Sequence, residues 1–333
     1  MNILFLGTKT GNSYLQYIAL KRNYKNVDFI DGYESLKFKK LGIKIFVHIT
    51  PKIFETIINK YILSRIKKKY DLIYVKSGEL IGKKLITELK RRAKKIVFFC
   101  NDNPFVSRDK NRWKLFHSSA KYFDLIAYQD PSRIKPSNNR GIKSFLVLPP
   151  YDINIHKRKT NLNKKKNDVV FIGTWSDEKS LFLQKIIRLG LDVKIFGSRW
   201  DKDPNFSKLK KNISLGHLKF KKYSNVIRSA KIALCLFEKK NKDTITARSI
   251  EIPAIGTLMV SERTKTMKAN FVENREVIFF NNPNECVKKC NYYLRNDNKS
   301  SKIAKRGNLK VTKKLKLTND NLIKKIINTV FKK

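Results

Sequence analysis

The chain has 333 residues, with 74 Lys and Arg against 27 Asp and Glu, and so a formal net charge of +47. Hydrophobic residues make up 41% of it, which is enough apolar material for folded cores and excludes a disordered basic tail. The four cysteines are too few for a disulfide framework, and the four scattered histidines have no zinc-binding spacing. We therefore expect a folded, basic protein of a reducing compartment, without a structural metal.

The opening residues 1–7 lack the basic segment that precedes the apolar run of a secretory signal, and they predict a first β-strand. Lys or Arg interrupts every apolar run before it reaches the roughly 20 residues that a membrane span needs. We expect a cytoplasmic protein, and peripheral contact with an anionic membrane stays open. The charge has two explanations: a composition rich in Lys, Asn and Ile, or a positive field that attracts anionic partners.

Short apolar runs alternate with amphipathic segments in the first half of the chain, which is typical of a parallel sheet covered by helices. The predicted strands of this half are 2–7, 27–30, 71–75, 95–100, 124–128 and 144–148. Helical patterns lie between them, at 51–69 and 79–93. The segment 151–167 is polar and basic without periodicity, and it predicts a linker.

The same alternation restarts in the second half. Its predicted strands are 168–173, 192–197, 213–216, 231–237, 257–261 and 277–280, and its predicted helices are 177–189, 219–229, 246–252 and 283 onward. This pattern indicates an α/β fold of two doubly wound Rossmann-type domains, with a ligand cleft between the carboxyl ends of the two sheets. The predicted divisions are a first domain 1–150, a linker 151–167, a second domain 168–315, and a terminal helix 316–333 that packs back on the first domain.

The segment 243–262 carries the strongest indication of a binding site. If 244–252 is helical, Thr244, Arg248 and Glu251 share one face, which a small-residue turn at 253–256 and a buried strand follow. A carboxylate there can accept hydrogen bonds from ribose hydroxyls, and a guanidinium can bind a diphosphate. An ordinary ion pair on a helix surface explains the same pattern equally well.

Two glycine turns also suggest contact with a ligand. One turn begins at Gly173 and the other at Gly197, each directly after a predicted strand of the second half. Glycine there lets the backbone approach a ligand closely and expose N–H groups to phosphate. Any α/β protein, however, needs glycine in tight strand-to-helix turns. The loop from Gly7 to Gly11 is similar but shorter than a P-loop, which argues against an NTPase.

In the first half, Asp102 follows a buried strand at the position where a cleft residue should lie. It is a candidate general base for an acceptor hydroxyl. The alternative is a local Asx turn, which residues 101–104 would also form. Asp130 follows the next strand and is a second candidate of this kind, although a residue before Pro131 can simply cap a helix.

Two further motifs are discounted as metal sites. Asp201 and Asp203 form an Asp-x-Asp pattern, but they lie in a polar loop with a proline. Cys286 and Cys290 share a helix face, yet no other Cys or His accompanies them with zinc spacing, and buried small apolar residues explain them better.

At this point the sequence resembles a known family. Glu251 opens a Glu-x-x-Ala-x-Gly segment, and Asp243 lies eight positions before it, as in the Glu-x7-Glu signature of GT-B glycosyltransferases. The segment ARSIEIPAIGTLMVSE (247–262) is similar to the CgeB-like (spore maturation protein) glycosyltransferases. Further segments follow the order of that family over nearly the whole chain, namely 71–81, 98–104, 123–130, 145–156, 169–175, 193–200, 276–280 and 291–307.

The resemblance implies a hexosyltransferase-type enzyme that needs no metal or other cofactor. It moves a sugar from a nucleotide-sugar donor in the second domain to a polysaccharide, lipid-linked glycan or protein in the first. The resemblance implies donor binding by Gly173, Thr174, Trp175, Gly197, Ser198, Arg199, Arg248 and Glu251, and the pattern of the segment 243–262 adds Thr244 and Gly256. Asp243, near the transferred sugar, and Asp102 are the catalytic candidates, and Gly7, Gly11, Asn103 and Asp130 are expected to contact the acceptor.

Two other functions stay open. A nucleic-acid- or polyanion-binding protein would use the net charge, but the aromatic residues lie mostly in strand-like runs and no nucleic-acid module is present. A GT-B protein that has lost catalysis and only binds is the other alternative, because Asp243 is one methylene shorter than the glutamate of the signature.

Overall fold

Residues 1–36, 39–158 and 167–332 are described by a computed structural model. Unit 1 comprises Met1–Leu148, Lys240–Lys242 and Asn319–Lys333, and unit 2 comprises Pro149–Lys239 and Asp243–Thr318. Each unit is built on one six-stranded parallel sheet.

Among the described residues, the strands of unit 1 are β1 (Asn2–Leu6), β2 (Asn26–Ile30), β3 (Tyr70–Val75), β4 (Ala93–Cys100), β5 (Leu125–Tyr128) and β6 (Ser144–Leu146). Those of unit 2 are β7 (Asn167–Ile172), β8 (Val193–Gly197), β9 (Ile213–Leu215), β10 (Ala230–Cys235), β11 (Leu258–Glu262) and β12 (Ile278–Phe280). Each predicted strand is confirmed within three residues at either end, because runs of Val, Ile, Leu and Phe buried on both faces of a parallel sheet give a clear signal.

The helices of unit 1 are α1 (Gly11–Asn23), α2 (Lys39–His48), α3 (Lys52–Arg65), α4 (Lys83–Lys90), α5 (Lys114–Ser119) and α6 (Ile134–Asn138). Those of unit 2 are α7 (Asp177–Arg188), α8 (Phe206–Leu209), α9 (Phe220–Arg228), α10 (Arg248–Ile255), α11 (Lys265–Asn270), α12 (Pro283–Leu294) and α13 (Asp297–Leu309). The last helix, α14 (Asn319–Phe331), belongs to unit 1. The sequence patterns did not predict α1 and α2, and α1 lacks a clear apolar face.

The strand orders place a crevice in each sheet. In unit 1 the order is β2-β1-β3-β4-β5-β6, and in unit 2 it is β12-β11-β10-β7-β8-β9. The direction of winding reverses between β1 and β3 in unit 1, and between β7 and β10 in unit 2. Doubly wound sheets bind ligands outside the carboxyl ends of the strands at such a reversal. These two edges are therefore where functional side chains are expected.

The last helix packs on the sheet of unit 1. Ile323 and Ile326 of α14 are buried in the same cluster as Ile3 and Phe5 of β1. Asp320 at the start of α14 accepts hydrogen bonds from the guanidinium of Arg22, at 2.7 and 3.1 Å. The helix thus covers one face of the sheet and is fixed at its first turn by an ion pair.

The predicted linker 151–167 only partly lies within the described residues, since 159–166 are outside them. Its first residues are packed in unit 2: Tyr151 pairs with Thr318, and His156 is 3% exposed. The segment 151–156 is thus part of a folded unit. In the described part of the chain, no helix combines the length and the apolar character that crossing a bilayer requires.

Candidate functional site

The turn that follows β7 borders the crevice of unit 2, and hydrogen bonds join it to the turn that follows β8. The N–H of Gly173 donates to the carbonyl of Phe196 at 2.9 Å, and the N–H of Trp175 donates to the carbonyl of Ser198 at 3.0 Å. The indole N–H of Trp200 donates to the carbonyl of Gly173 at 2.9 Å. The structure therefore brings the two predicted glycine turns together as one rim.

Gly197 is required by this close approach. Its φ is +152°, and a Cβ there would collide with the carbonyl of Gly173. The hydroxyl oxygens of Thr174 and Ser198 lie 3.3 Å apart on the rim. Arg199 is exposed and has a left-handed φ of +67°. Thr174, Ser198 and Arg199 thus stay candidates for donor contact, whereas Gly197 has a sufficient structural reason.

The indole of Trp175 is hydrogen-bonded within unit 2. Its indole N–H donates to Asp203 Oδ2 at 2.8 Å, and the Ser180 hydroxyl donates to the same oxygen. The other carboxylate oxygen of Asp203 accepts from the N–H of Asn205 at 2.7 Å. Asp203 is thus a buried structural acceptor, which explains the Asp-x-Asp pattern without a metal.

An ion pair between a buried lysine and a half-buried glutamate lies in the same crevice, and the sequence patterns did not single it out. Lys179, in the first turn of α7, places its ammonium 2.6 Å from a carboxylate oxygen of Glu238, which follows β10. The Lys179 residue is 7% exposed, and burial lowers its pKa although Glu238 opposes the shift. Lys179 shares the buried face of α7 with Leu183 and Ile186. A lysine on an otherwise apolar helix face is the sequence feature that could have identified it as a candidate site residue.

Arg248 adds a second cation to this edge. It is the first residue of α10, and its charge depresses the pKa of Lys179. Arg248 Nε is shielded from solvent and has no hydrogen-bond partner among the described residues. A buried donor without an acceptor is costly, so this atom is suited to an anion that enters the crevice. Asp243, the acidic candidate, is partly exposed and also acts electrostatically on Lys179.

The predicted helical face of 244–252 is wrong at its beginning. Helix α10 starts only at Arg248, and Thr244 lies before it, with its hydroxyl 2.7 Å from the hydroxyl of Thr266. Thr244 therefore does not share a helix face with Arg248 and Glu251. Three residues of the loop that precedes the helix separate Thr244 from its first turn.

Glu251 is buried in a small polar cluster. Its Oε2 accepts a hydrogen bond from the Tyr223 hydroxyl at 2.6 Å, and its Oε1 lies 3.9 Å from His156 Nε2. The N–H of Asp152 donates to His156 Nδ1 at 3.0 Å. Burial first, and then the charge of Glu251, raise the pKa of Tyr223. Glu251 is 5% exposed, so Tyr223 and His156 fix its orientation; neither had been predicted as a site residue.

Gly256 lies at the wrong end of α10 for donor contact. The predicted small-residue turn 253–256 is mostly helical, since α10 continues to Ile255. Gly256 then caps the helix with a φ of +90°, and a Cβ there would lie 2.9 Å from Arg158 Cγ. Because β11 begins just after it, Gly256 is at the amino edge of the sheet. The crevice is at the opposite, carboxyl edge, which contradicts the assignment of Gly256 to the donor.

Unit 1 has a cavity at its own strand-order reversal. The cavity has a volume of about 850 Å³ and lies at the carboxyl ends of β1, β3 and β4. Its lining includes Thr8, Lys9, Thr10, Lys76, Asn101 and Asp102. The loop between Gly7 and Gly11 and the predicted base Asp102 thus line the same cavity. The predicted acceptor residues Gly7 and Gly11 are not in its lining, whereas Thr8, Lys9 and Thr10 between them are.

An ionic network forms one wall of this cavity. Arg112 Nη2 lies 2.6 Å from Glu79 Oε1, which also accepts a hydrogen bond from Tyr33 at 2.5 Å. Asp102 accepts hydrogen bonds from Arg108 at 3.0 Å and from Arg112 at 3.3 Å. Each carboxylate oxygen of Asp102 thus contacts an arginine. An acceptor hydroxyl would have to share or displace one of these contacts for Asp102 to take its proton.

Lys76, directly after β3, is another cation in the lining of this cavity. Its ammonium donates to the carbonyl of Phe99 at 2.9 Å and to Asn101 Oδ1 at 2.7 Å. Both are neutral acceptors, and burial lowers the pKa of Lys76 to about 8. The cavity therefore contains an amine that changes charge near neutral pH.

Two predicted acceptor residues are wrong. Asn103 is 2% exposed, and it donates two hydrogen bonds to Asn241: its N–H to Oδ1 at 3.2 Å and its side-chain amide to the carbonyl at 3.1 Å. Asp130 is fully buried, with its Oδ1 2.9 Å from Arg133 Nη1 and 2.9 Å from the N–H of Ser132. Asn103 fixes the segment 240–242 within unit 1, and Asp130 caps the turn 131–133. Neither side chain is accessible to an acceptor.

No group of His, Cys, Asp and Glu within the described ranges is arranged to hold a metal ion. Cys286 and Cys290 are fully buried in the core of unit 2, as expected for small apolar residues.

Comparisons with known proteins agree with this architecture. Residues 178–327 match the family model described as "Glycosyl transferase-like". No curated protein matches the chain. The structure of sucrose-phosphate synthase from Thermosynechococcus elongatus superposes with a TM-score of 0.71 at 10% identity, covering 99% of both chains.

The fold is also similar to that of proteins solved with bound sugar nucleotides. Anabaena HepE in complex with UDP-glucose gives a TM-score of 0.70 at 13% identity, covering 99% of both chains. The E. coli trehalose-6-phosphate structure bound with UDP-2-fluoro glucose gives 0.63 at 10% identity, with the same coverage. The predicted GT-B fold is thereby confirmed over the whole chain. Together with the domain match over residues 178–327, it shows a chain with the GT-B fold whose second half is similar to the glycosyl transferase-like family.

Proposed function

We propose that the chain transfers a sugar from a nucleoside diphosphate sugar bound at the crevice of unit 2, and that it belongs to the CgeB-like group of GT-B enzymes. The observation that carries the donor assignment is Arg248 Nε, a buried donor without a described partner beside the buried ammonium of Lys179. Two cations at the carboxyl edge of a doubly wound sheet suit a diphosphate. The CgeB-like assignment is supported by the segment 247–262.

Each donor residue has a separate role in this proposal. Lys179 and Arg248 bind the diphosphate and neutralise the negative charge that grows on it as the sugar leaves. Glu251, held by Tyr223, accepts a hydrogen bond from a ribose hydroxyl. Thr174 and Ser198 offer hydroxyl groups at the rim. HepE and the E. coli structure contain UDP compounds, and we propose a UDP-sugar as the first donor to test.

The reaction exchanges one C–O bond for another. An oxygen of the acceptor hydroxyl bonds to the anomeric carbon, and the bond from that carbon to the donor phosphate breaks. The nucleoside diphosphate leaves with the electron pair, and the hydroxyl proton passes to a base. Asp102 in unit 1 and Asp243 in unit 2 are the two candidates for acid–base or electrostatic assistance.

We propose that no metal takes part, because Lys179 and Arg248 supply positive charge where a divalent ion would otherwise act. The test is turnover in EDTA. Activity that survives extensive chelation supports the proposal, and activity that is lost and then restored by manganese contradicts it.

The decisive experiment is a thermal-shift screen with UDP, GDP, ADP, CMP and their sugars, because a ligand that binds only the folded state raises the unfolding temperature. Arg248→Lys should lose most of the shift, since lysine keeps the charge but not the two-pronged geometry. Lys185, on the same helix as Lys179, offers a matched control as Lys185→Met. Stabilisation by none of these compounds, in protein that unfolds cooperatively, would contradict the donor assignment.

A further inference from the structure

Helices α2 and α3 of unit 1 expose an unusual number of large aliphatic side chains. Within the described part of the chain, fourteen large hydrophobic residues are exposed, and five of them lie between positions 41 and 57. Among these five, the most exposed are Leu41, Ile49, Ile53 and Ile57, at 58%, 59%, 60% and 53%. The exposed leucines and valine of unit 2 are instead scattered over separate elements. The α2–α3 surface, defined by these four residues, thus holds the largest group of exposed aliphatic side chains that are near one another in the described sequence.

The patch has the geometry of an interfacial helix. Ile53 and Ile57 are one turn apart on α3 and point away from Ile58 and Ile62, which are buried in the core of unit 1. Lys60 continues the same exposed stripe one turn later. The outward face of α3 is therefore aliphatic at its start and cationic at its end, while the inward face holds the helix on the protein.

The surroundings of the patch are strongly basic. Residues 39–69 contain nine Lys and Arg and a single acidic residue, Glu55. Lys44, Lys52 and Lys60 are exposed beside the aliphatic residues. Lys68 is paired with Asp28 at 2.8 Å, which leaves the excess of positive charge almost unchanged. Apolar side chains among lysines match the boundary between anionic headgroups and acyl chains.

We propose that the α2–α3 surface docks unit 1 on an anionic lipid membrane. The aliphatic residues enter the headgroup boundary, and the lysines contact lipid phosphates. Association of two copies through this surface is disfavoured, because it would bring two strongly positive segments together. A bilayer with anionic lipid supplies both the apolar layer and the negative charge that the surface lacks.

The surface also lies next to the cavity of unit 1. Ile43 and Val47 of α2 line that cavity, together with Lys76 and Asp102. Docking would therefore hold the cavity near the lipid headgroups, which favours an acceptor carried on a lipid. This consequence rests on the proposed function, whereas the docking itself does not. Vesicle binding can therefore be tested without donor or acceptor.

The first experiment measures sedimentation of the protein with vesicles of phosphatidylcholine, either pure or with phosphatidylglycerol in place of about a third of it. The double variant Ile53→Ser/Ile57→Ser should bind the anionic vesicles at least about tenfold more weakly than the wild type. Leu181→Ser/Leu215→Ser is the matched control, since Leu181 and Leu215 are 65% and 53% exposed in unit 2. It should bind like the wild type.

The charge is tested in the same way. Lys52→Glu/Lys60→Glu should weaken binding to anionic vesicles strongly, and Lys302→Glu/Lys305→Glu on α13 should have a smaller effect although the net charge changes equally. Equal losses in the two variants would show that the total charge, and not this surface, drives binding. That result would overturn the proposal.

The second experiment reports the location directly. All four cysteines are buried, so Ile57→Cys can be labelled selectively with a polarity-sensitive dye. Its emission should shift to the blue on anionic vesicles, and the same dye at Leu181→Cys should not respond. Protein that sediments with vesicles while the label at position 57 stays in water would contradict the proposal. Loss of a wild-type dimer in Ile53→Ser/Ile57→Ser, without vesicle binding by either protein, would assign the surface to a second copy instead.

Discussion

Lys179 Nζ and Glu238 Oε2 lie 2.6 Å apart at the point where the strand order of unit 2 reverses. The lysine comes from the first turn of α7 and the glutamate from the loop after β10, so two crossovers of the sheet meet in this pair. The lysine is buried and the glutamate half-buried, so their contact is partly shielded from solvent. A bound diphosphate would give Lys179 a second anionic partner without requiring the pair to break.

Lys179→Met should destabilise the protein by about 1–3 kcal/mol, because the half-buried carboxylate of Glu238 loses its 2.6 Å contact with an ammonium. Lys179→Met/Glu238→Leu should recover most of this stability, since the pair is then replaced by apolar side chains of similar size. Neither variant should bind a nucleoside diphosphate with wild-type affinity. Urea unfolding and titration calorimetry separate the two effects, and full donor affinity in the double variant would remove Lys179 from the site.

Glu251→Gln should weaken donor binding by about 1.5–3 kcal/mol, because the ribose loses a hydrogen bond to a charged group. The fold should survive, since glutamine can still accept from the Tyr223 hydroxyl. Tyr223→Phe is the matched variant: it frees the carboxylate from its 2.6 Å contact but keeps its charge. Calorimetry should therefore show a larger loss for Glu251→Gln than for Tyr223→Phe, and unchanged affinity in folded Glu251→Gln would exclude the ribose contact.

Lys76 should make stability depend on pH. Burial lowers its pKa to about 8, whereas the unfolded chain keeps a lysine pKa near 10.4. Between these values the unfolded state binds the proton and the folded state does not, so stability rises with pH through this window. Below about pH 8 both states are charged and the gain is absent.

The comparison is with Lys76→Met, which removes the titrating group. From about pH 7 to pH 10 the wild type should gain up to about 3 kcal/mol of unfolding free energy relative to the variant. Parallel pH profiles for the two proteins in urea unfolding would show that the ammonium is not held in a desolvated site.

Gly197→Ala should disrupt the rim of the donor crevice, because its Cβ would collide with the carbonyl of Gly173. We expect a loss of about 2 kcal/mol or more and a weaker response to nucleotides. Gly190→Ala is the control, since Gly190 has a φ of +87° but open space around its Cα. It should cost only about 1 kcal/mol and leave nucleotide binding intact. Equal effects of the two substitutions would argue against the collision.

The sequence by itself determined the two parallel sheets and the edge at which function should be sought. Buried strands are continuous apolar runs, as the segments around Phe5 and Phe171 illustrate. Helical segments separate these runs, and this alternation predicts a doubly wound fold without knowledge of any contact. Arg248, Glu251 and the turns at Gly173 and Gly197 could also be proposed from the sequence, because charge on a helix face and glycine at strand ends carry local signals. Their contact with a donor stays a prediction.

Only the tertiary structure decided which of these side chains are accessible. Asn103 and Asp130 have the residue types and positions of binding residues. In the structure, however, Asn103 is hydrogen-bonded to Asn241 and Asp130 is paired with Arg133. Gly256 was misplaced because the end of α10 could not be located from the pattern, since helix boundaries depend on capping contacts as much as on periodicity. Lys179, Tyr223 and His156 were missed, because a buried polar side chain is defined by partners distant in sequence, and those partners meet only when the chain folds.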